Sequence, residues 1–281
     1  MTQTESTYYH CYATANDTSL YYRDYQNLLR IAQVYSGVEH LKLYIAISTA
    51  KPLNYFDKLF VRLITQLFKR HPNVTLQKIF FKTNVGRDFS SFALIRHLID
   101  MENPKANYLF FQNRSGWGPF KANWLQAFQE QFEKYKSTAL CGSTINFNDH
   151  PLNSNRTDIP HVQTYAFLTH KTYLDMLGDD FPGIKQTSRL DAISKGEIAL
   201  SQFFLDKGLG ITCMEWPEDF ITQGTRPKSL GDVRGSVTQN HAFYHKVYFK
   251  TESRLRKGFS YFKVLICLMA YAIKLKKGVV R

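Results

Sequence analysis

The stretch Tyr108-Leu109-Phe110-Phe111-Gln112, running straight into Asn113-Arg114-Ser115-Gly116-Trp117-Gly118-Pro119-Phe120, decides the fold. The first five residues carry no charge and are apolar on both faces. They read as a short central strand covered on both sides, the kind found in a parallel sheet between layers of helix. The polar turn that follows holds two glycines and a proline. These set its course and let backbone N–H groups face an anion.

The same alternation recurs on both sides of this stretch. Residues 8–13 (YYHCYA), 41–48 (LKLYIAIS) and 74–81 read as strands, and residues 21–35 and 90–101 as helices. Pro52 opens a further helix whose apolar face holds Phe56, Leu59, Phe60, Leu63, Ile64 and Leu67, and His71-Pro72-Asn73 ends it. Downstream, helices are expected over 123–135, 171–177 and 195–206, and strands over 138–145, 163–169 and 209–215. Residues 146–160, rich in Asn, Asp, Pro and Ser, form a loop. This order predicts an α/β, Rossmann-type, mostly parallel central sheet flanked by helices, with residues 1–229 as one domain. Residues 230–245 read as a Gly-containing polar linker.

The 281 residues carry a formal net charge of +13, unevenly spread. From Lys246 to Arg281, ten Lys or Arg stand against one acid, Glu252, so this segment holds +9 and residues 1–245 only +4. A nucleic-acid binder interleaves basic and aromatic residues across its folded surface, and this distribution excludes that class. Residues 246–281 read instead as a basic amphipathic tail, the alternative being a helix docked on the domain, which would ordinarily carry acids as well as bases. Its uncharged run VLICLMAYAI at 264–273 is shorter than the roughly 20 residues of a spanning helix. It fits a segment lying on an anionic membrane surface. Cys11, Cys141, Cys213 and Cys267 form no CxxC pair, and the start MTQTESTYYH has no signal-peptide core. The expected location is cytoplasmic, peripheral on the inner face of the cell membrane.

In open α/β sheets, ligands gather at the C-terminal strand edge where strand order reverses. Three polar clusters follow strands there, at 84–88, 113–120 and 146–161. In the first, Gly86 supplies positive φ or a close approach, and Arg87 a phosphate contact. Asn84 shares this turn, and Asp88 either caps the next helix or meets a ligand hydroxyl or base edge. In the second, Asn113, Arg114 and Ser115 face the ligand, while Trp117 stacks on a ring or sits in the core. His161 is a candidate base or diphosphate contact. Glu197, among the apolar residues Ile198, Leu200, Phe203 and Phe204, is a candidate base or a dipole-complementing helix-start residue.

In their order, these residues resemble a known family. They are Asn84-x-Gly86-x-Asp88, then YLFFQN-x-Ser115-x-x-Gly118-Pro119-Phe120, then Cys141-Gly142-Ser143-Thr144, then Pro160-His161-Val162-Gln163-Thr164, then Glu197-x-x-x-Ser201 with Gly208. The set, over residues 75–215, resembles the rhamnan-synthesis-protein-F-like glycosyltransferases of bacterial surface polysaccharides. The resemblance implies a GT-A fold, a nucleotide-sugar donor, and transfer to a glycan or polyprenyl-diphosphate-linked acceptor. It implies that Asn84, Gly86 and Asp88 lie at the nucleotide, with His161 and Glu197 near the donor–acceptor junction. Such folds usually carry an Asp-x-Asp holding Mg or Mn at the end of the fourth strand. Asn113-Arg114-Ser115 stands in that place, and neutral Asn and Ser are poorer ligands for a hard cation. The departure argues against a tightly held metal.

Glycosyl transfer passes through an oxocarbenium-like state. The enzyme must stabilise a departing nucleoside diphosphate and, for inversion, deprotonate the acceptor. Arg87 and Arg114 are the expected counter-charges and Glu197 the expected base, with His161 as the alternative. The rival from another class is a non-catalytic glycan-binding or scaffolding protein of the same pathway.

Overall fold

The computed structural model describes residues 6–229 and 231–251. Strands β1 (Tyr8–Ala15), β2 (Leu41–Thr49), β3 (Val74–Thr83) and β4 (Tyr108–Asn113) alternate with helices α1 (Tyr21–Gln33), α2 (Tyr55–Phe68) and α3 (Arg87–Glu102). The second half is less regular. It runs β5 (Gly116–Trp117), α4 (Trp124–Glu133), β6 (Thr138–Gly142), β7 (Ile145–Asn146), β8 (His161–Val162), β9 (Ala166–His170) and α5 (Lys171–Asp175). Then come α6 (Arg189–Ala192), a π-helical stretch (Ile193–Ile198), α7 (Ala199–Leu205), β10 (Gly210–Cys213) and β11 (Tyr244–His245).

Seven strands form one sheet in the order β10-β6-β9-β4-β1-β2-β3. It is the expected mostly parallel sheet; β9 runs antiparallel to both of its neighbours. The period-2 pattern of β1 sends Tyr9, Cys11 and Ala13 into one core and Tyr12 into the other. The first core is closed by α3, with Phe92, Ile95 and Ile99, and by α7, with Leu200 and Phe204. The second is closed by α1, α2 and α4, with Leu28, Ile31, Phe60, Ile64, Trp124 and Phe128.

Helix placement generates the crevice. The chain steps from β1 to β2 to β3 over the face covered by α1 and α2. It then crosses under the opposite face through α3 and enters β4 on the other side of β1. Strand order therefore reverses between β1 and β4, and the turns beyond Ala15 and Asn113 diverge there.

Several boundaries differ from expectation for local reasons. α2 starts at Tyr55 because Asn54 accepts the Phe56 N–H at 2.8 Å and Asp57 accepts the Asn54 N–H at 2.6 Å, closing a capping box. α3 starts at Arg87, after Gly86 at φ 73°, so Asp88 lies in the first turn and does not cap the helix. The stretch read as a linker is tied to the domain: residues 231–240 stay mostly exposed, and His241, Phe243 and His245 are buried. Phe243 is fully buried, 4.9 Å from the Phe110 ring. Buried Glu215 accepts bonds from Thr238 N at 2.8 Å and His241 Nε2 at 2.7 Å. The tail beyond residue 251, including the run at 264–273, lies outside the described residues. Among the described residues, no helix is long and apolar enough to cross a membrane.

Two interior histidines give the fold a pH dependence. Burial holds His10 at about 3, against the opposing bond to Gln112, and burial followed by Arg234 and Lys246 holds His245 at about 3. The unfolded chain takes up protons near pH 6.5 that the folded chain refuses until about pH 3. Stability is therefore complete above pH 6.5 and is lost as pH falls through that window. At pH 5 each histidine is expected to remove about 2 kcal/mol. Urea titrations at pH 7.5 and pH 5 measure this, and equal midpoints would contradict it.

Candidate functional site

Two adjoining cavities open at the reversal point. The first, of about 300 Å³, lies between the starts of α3 and α6 and the turn after β4. Arg87, Arg189, Arg234 and Lys246 line it against only two acids, Asp88 and Glu197. The second, of about 380 Å³, is walled by the 146–157 loop and shares Ile193, Glu197 and Arg234 with the first. Both volumes are in the range of small-ligand sites.

The first cavity gathers like charges. Burial, then Arg189 and Arg23, push the Lys246 ammonium below the ordinary lysine range, with Asp88 opposing. Burial also raises the half-buried Asp88 carboxyl, although Lys82, Arg114, Arg87 and Lys246 pull it down. Arg87 has a left-handed backbone, φ 48°, and its buried Nε has no hydrogen-bond partner among the described residues. Strain and an unpaired donor at one residue of a cavity mark a place prepared for a ligand. Arg234 is already matched by Asp232, Nη2 to Oδ2 at 2.6 Å, so Arg87, Arg189 and Lys246 hold the available charge. Arg189 and Lys246 enter no ion pair among the described residues.

Glu197 stands at the junction. It rides the π-helical stretch, a local widening that often marks a working site. Gly196 makes that stretch possible against α3, since a Cβ there would lie 2.5 Å from the Phe89 ring. Glu197 Oε2 accepts from Thr164 N at 2.8 Å and Thr164 Oγ1 at 2.7 Å. Its Oε1 is left facing His161 Nε2 at 3.9 Å. The His161 Nδ1–H donates to the Ile159 carbonyl at 2.8 Å, and burial holds the imidazole below its usual range against the pull of Glu197. The neutral ring therefore turns a lone pair at Nε2 toward the carboxylate.

Two of the sequence clusters meet here through hydrogen bonds. Ser201 Oγ accepts the Val162 N–H at 3.0 Å, and Gln202 Nε2 donates to the Pro160 carbonyl at 2.8 Å. With the Glu197–Thr164 bonds, one helix face reads the backbone of Pro160–Thr164 along its length. In the second cavity Asp149 organises the loop by accepting from His150 N at 2.7 Å and Asn153 Nδ2 at 2.6 Å. Asn148 lines that cavity with a buried Oδ1 that has no partner among the described residues.

Of the residues singled out in the sequence, Arg87, Asp88, Asn113, Ser115 and Glu197 line the first cavity, and His161 and Glu197 the second. Asn84, Gly86, Arg114 and Trp117 line neither. Asn84 is exposed and gives its carbonyl to Arg87 N at 3.2 Å. Gly86 is needed for packing, since a Cβ would meet the Ile184 carbonyl at 2.3 Å. Trp117 stacks on Phe249 at 4.9 Å, with the Arg23 guanidinium 5.6 Å from its ring. Arg114 is drawn away from the cavity by fully buried Asp24, Nη2 to Oδ2 at 2.6 Å and Nε to Oδ2 at 2.9 Å. Tyr12 and Thr14 complete the shell of Asp24, at 2.9 and 2.7 Å. Asp24→Ala leaves the guanidinium charge enclosed and unpaired and is expected to cost about 3–5 kcal/mol. A chemical-denaturation midpoint close to that of the unsubstituted protein would refute this.

Thr164 entered the sequence reading only as part of a motif, and Arg189, Arg234, His245 and Lys246 were not singled out as site residues. The last three sit in stretches read as linker and tail, where HAFYH at 241–245 offered a signal of buried chain. The place of an Asp-x-Asp is occupied by Asn113, whose Oδ1 accepts the Ser115 N–H at 2.8 Å, and by the committed Arg114. Among the described residues no three His, Cys, Asp or Glu cluster to hold a metal ion. At this place the side chains offer an amide oxygen bonded within its own turn and a guanidinium already paired.

The class defined by fold and site is an α/β protein with a mostly parallel sheet and a cationic crevice at its switch point. No family model matches the chain, and no curated protein matches it. Solved structures resemble it in shape. WbbM, a bifunctional glycosyltransferase in its apo form, matches at 11% identity and TM-score 0.45 over 77% of this chain and 40% of that one. A Bacillus anthracis protein described as a glucose-1-phosphate thymidylyltransferase, in complex with sucrose, matches at 9% and 0.44 over 74% and 86%. S. aureus TarS 1–349 matches at 10% and 0.44 over 71% and 56%. This chain thus spans about 40% of the length of the first.

Proposed function

We propose that this chain is a GT-A-type glycosyltransferase moving a sugar from a nucleotide-sugar donor to a glycan acceptor in bacterial surface polysaccharide synthesis. One observation carries the reading: a carboxylate, Glu197, stands where a cationic cavity meets a second cavity rich in amides and hydroxyls. Arg87, Arg189 and Lys246 hold the donor diphosphate, and Asp88 meets a nucleoside hydroxyl. The acceptor glycan, attached to a polyprenyl diphosphate, enters from the side of Asn146, Asn148 and Ser154. Glu197 Oε1 takes the hydroxyl proton as the acceptor oxygen bonds to the anomeric carbon. The bond from that carbon to the diphosphate breaks, and the nucleoside diphosphate leaves with its charge met by the same three cations. In this reading the cations do the work that a metal does in Asp-x-Asp enzymes, and the basic tail holds the enzyme at the inner membrane face.

The test is a panel of nucleotide sugars with the purified protein. One donor should raise the melting temperature and slowly release its nucleoside diphosphate, in chelator as in buffer. A panel without any stabilising donor would overturn the proposal. Stabilisation by free glycans alone would favour the scaffolding alternative.

A further inference from the structure

The sheet edge that carries the crevice also carries an apolar tip. Leu53, Tyr55 and Phe56, at the start of α2, are 56%, 61% and 50% exposed, and Val85, before α3, is 46% exposed. Because β1, β2, β3 and β4 are parallel, the turns bearing these residues leave from the same edge as Asn113. At about 4.8 Å per strand, the end of β2 stands about 10 Å along that edge from the end of β4. Clustered exposed aromatic and aliphatic side chains mark a contact surface.

The charges beside the tip identify the partner. Asp57, the acid of α2, is buried and accepts from Tyr21 OH at 2.5 Å, so its charge is spent inward. Lys58 and Arg62, one and two turns below the tip on α2, are exposed and enter no ion pair among the described residues. Lys51 is matched by Asp17 at 3.1 Å. We propose that this tip docks on an anionic phospholipid bilayer, with Leu53, Tyr55 and Phe56 entering the interface and Lys58 and Arg62 meeting headgroup phosphates. The surface belongs to the folded domain, separate from residues 252–281, and it turns the crevice mouth toward the lipid. The inference does not rest on the transferase reading.

The test uses the full chain with Cys267→Ser, the other three cysteines being buried. Phe56→Cys carries an environment-sensitive fluorophore. Met101→Cys, 71% exposed in the last turn of α3 and so near the opposite edge, carries the same label as control. On phosphatidylglycerol–phosphatidylcholine vesicles the label at 56 should shift to the blue and be quenched by nitroxide lipids, and the label at 101 should do neither. Pure phosphatidylcholine should give a weaker shift, and Leu53→Ser with Tyr55→Ser should cut vesicle partitioning at least fivefold. Equal responses at 56 and 101, or partitioning unchanged by the serine pair, would overturn the proposal. A blue shift that grows with protein concentration in the absence of vesicles would overturn it in favour of a second copy.

Discussion

If Glu197 is the base of the proposed transfer, Glu197→Gln is expected to lower it by roughly 10²–10⁴-fold and to leave the fold standing. Glutamine keeps the side chain's shape, and its carbonyl still accepts the two Thr164 bonds at 2.8 and 2.7 Å. The anchor of the Pro160–Thr164 segment is therefore retained. What is lost is the capacity of Oε1 to take a proton. KM for donor should hold while kcat falls, because the group acts only as the acceptor oxygen attacks. His161→Gln tests the alternative base. If its loss equals or exceeds that of Glu197→Gln, the roles of the pair are exchanged. Full turnover in Glu197→Gln removes the carboxylate from the chemistry.

Arg87→Ala and Arg189→Ala each weaken nucleoside diphosphate binding by about 10- to 100-fold, the value of a charge-assisted hydrogen bond. The prediction follows from the cost already present. Burial, then the nearby Arg189, depresses Lys246 in the crevice that Arg87 also lines. An anion relieves that repulsion as it forms its own contacts, and affinity should fall as salt rises. Arg114→Ala serves as contrast. Its guanidinium is spent on Asp24, so it should damage stability far more than nucleotide affinity. Calorimetry with a series of nucleoside diphosphates separates the cases. Equal affinity losses in Arg87→Ala and Arg114→Ala would mean that the crevice has been misassigned.

Although α3 has almost no amphipathic bias, the first half of the fold was legible because β1 to β4 are apolar runs and α1 and α2 space their apolar residues as helices do. The direction of β9 was not, since a strand's period of two is the same whichever way it runs. The helix expected at 195–206 was legible as helix, but its π-helical part depends on the space Gly196 leaves beside Phe89, a contact more than 100 residues distant in sequence. Arg87, Asp88, Asn113, Ser115 and His161 could be gathered to one sheet edge from strand ends alone, whereas Glu197, on a helix, was brought there only by the family resemblance. The engagement of Arg114 could not, because its partner Asp24 lies 90 residues earlier and looks like any helix-start acid. Residues 231–245 were misjudged because they are held by bonds to Glu215, by buried His241, Phe243 and His245 and by a two-residue pairing, and the buried alternation spans only five residues.

The pairing of Tyr244–His245 with Gly116–Trp117 makes the far end of the chain a handle on the crevice. Lys246 follows at once, its N–H bonded to the Ser115 carbonyl at 2.8 Å. A pull arriving from beyond residue 251 would meet this two-residue clasp before any strand of the main sheet. Undoing it would carry off Lys246 and His245 together. On the proposed reading, loosening this clasp would withdraw two crevice residues while the seven-stranded frame stays whole.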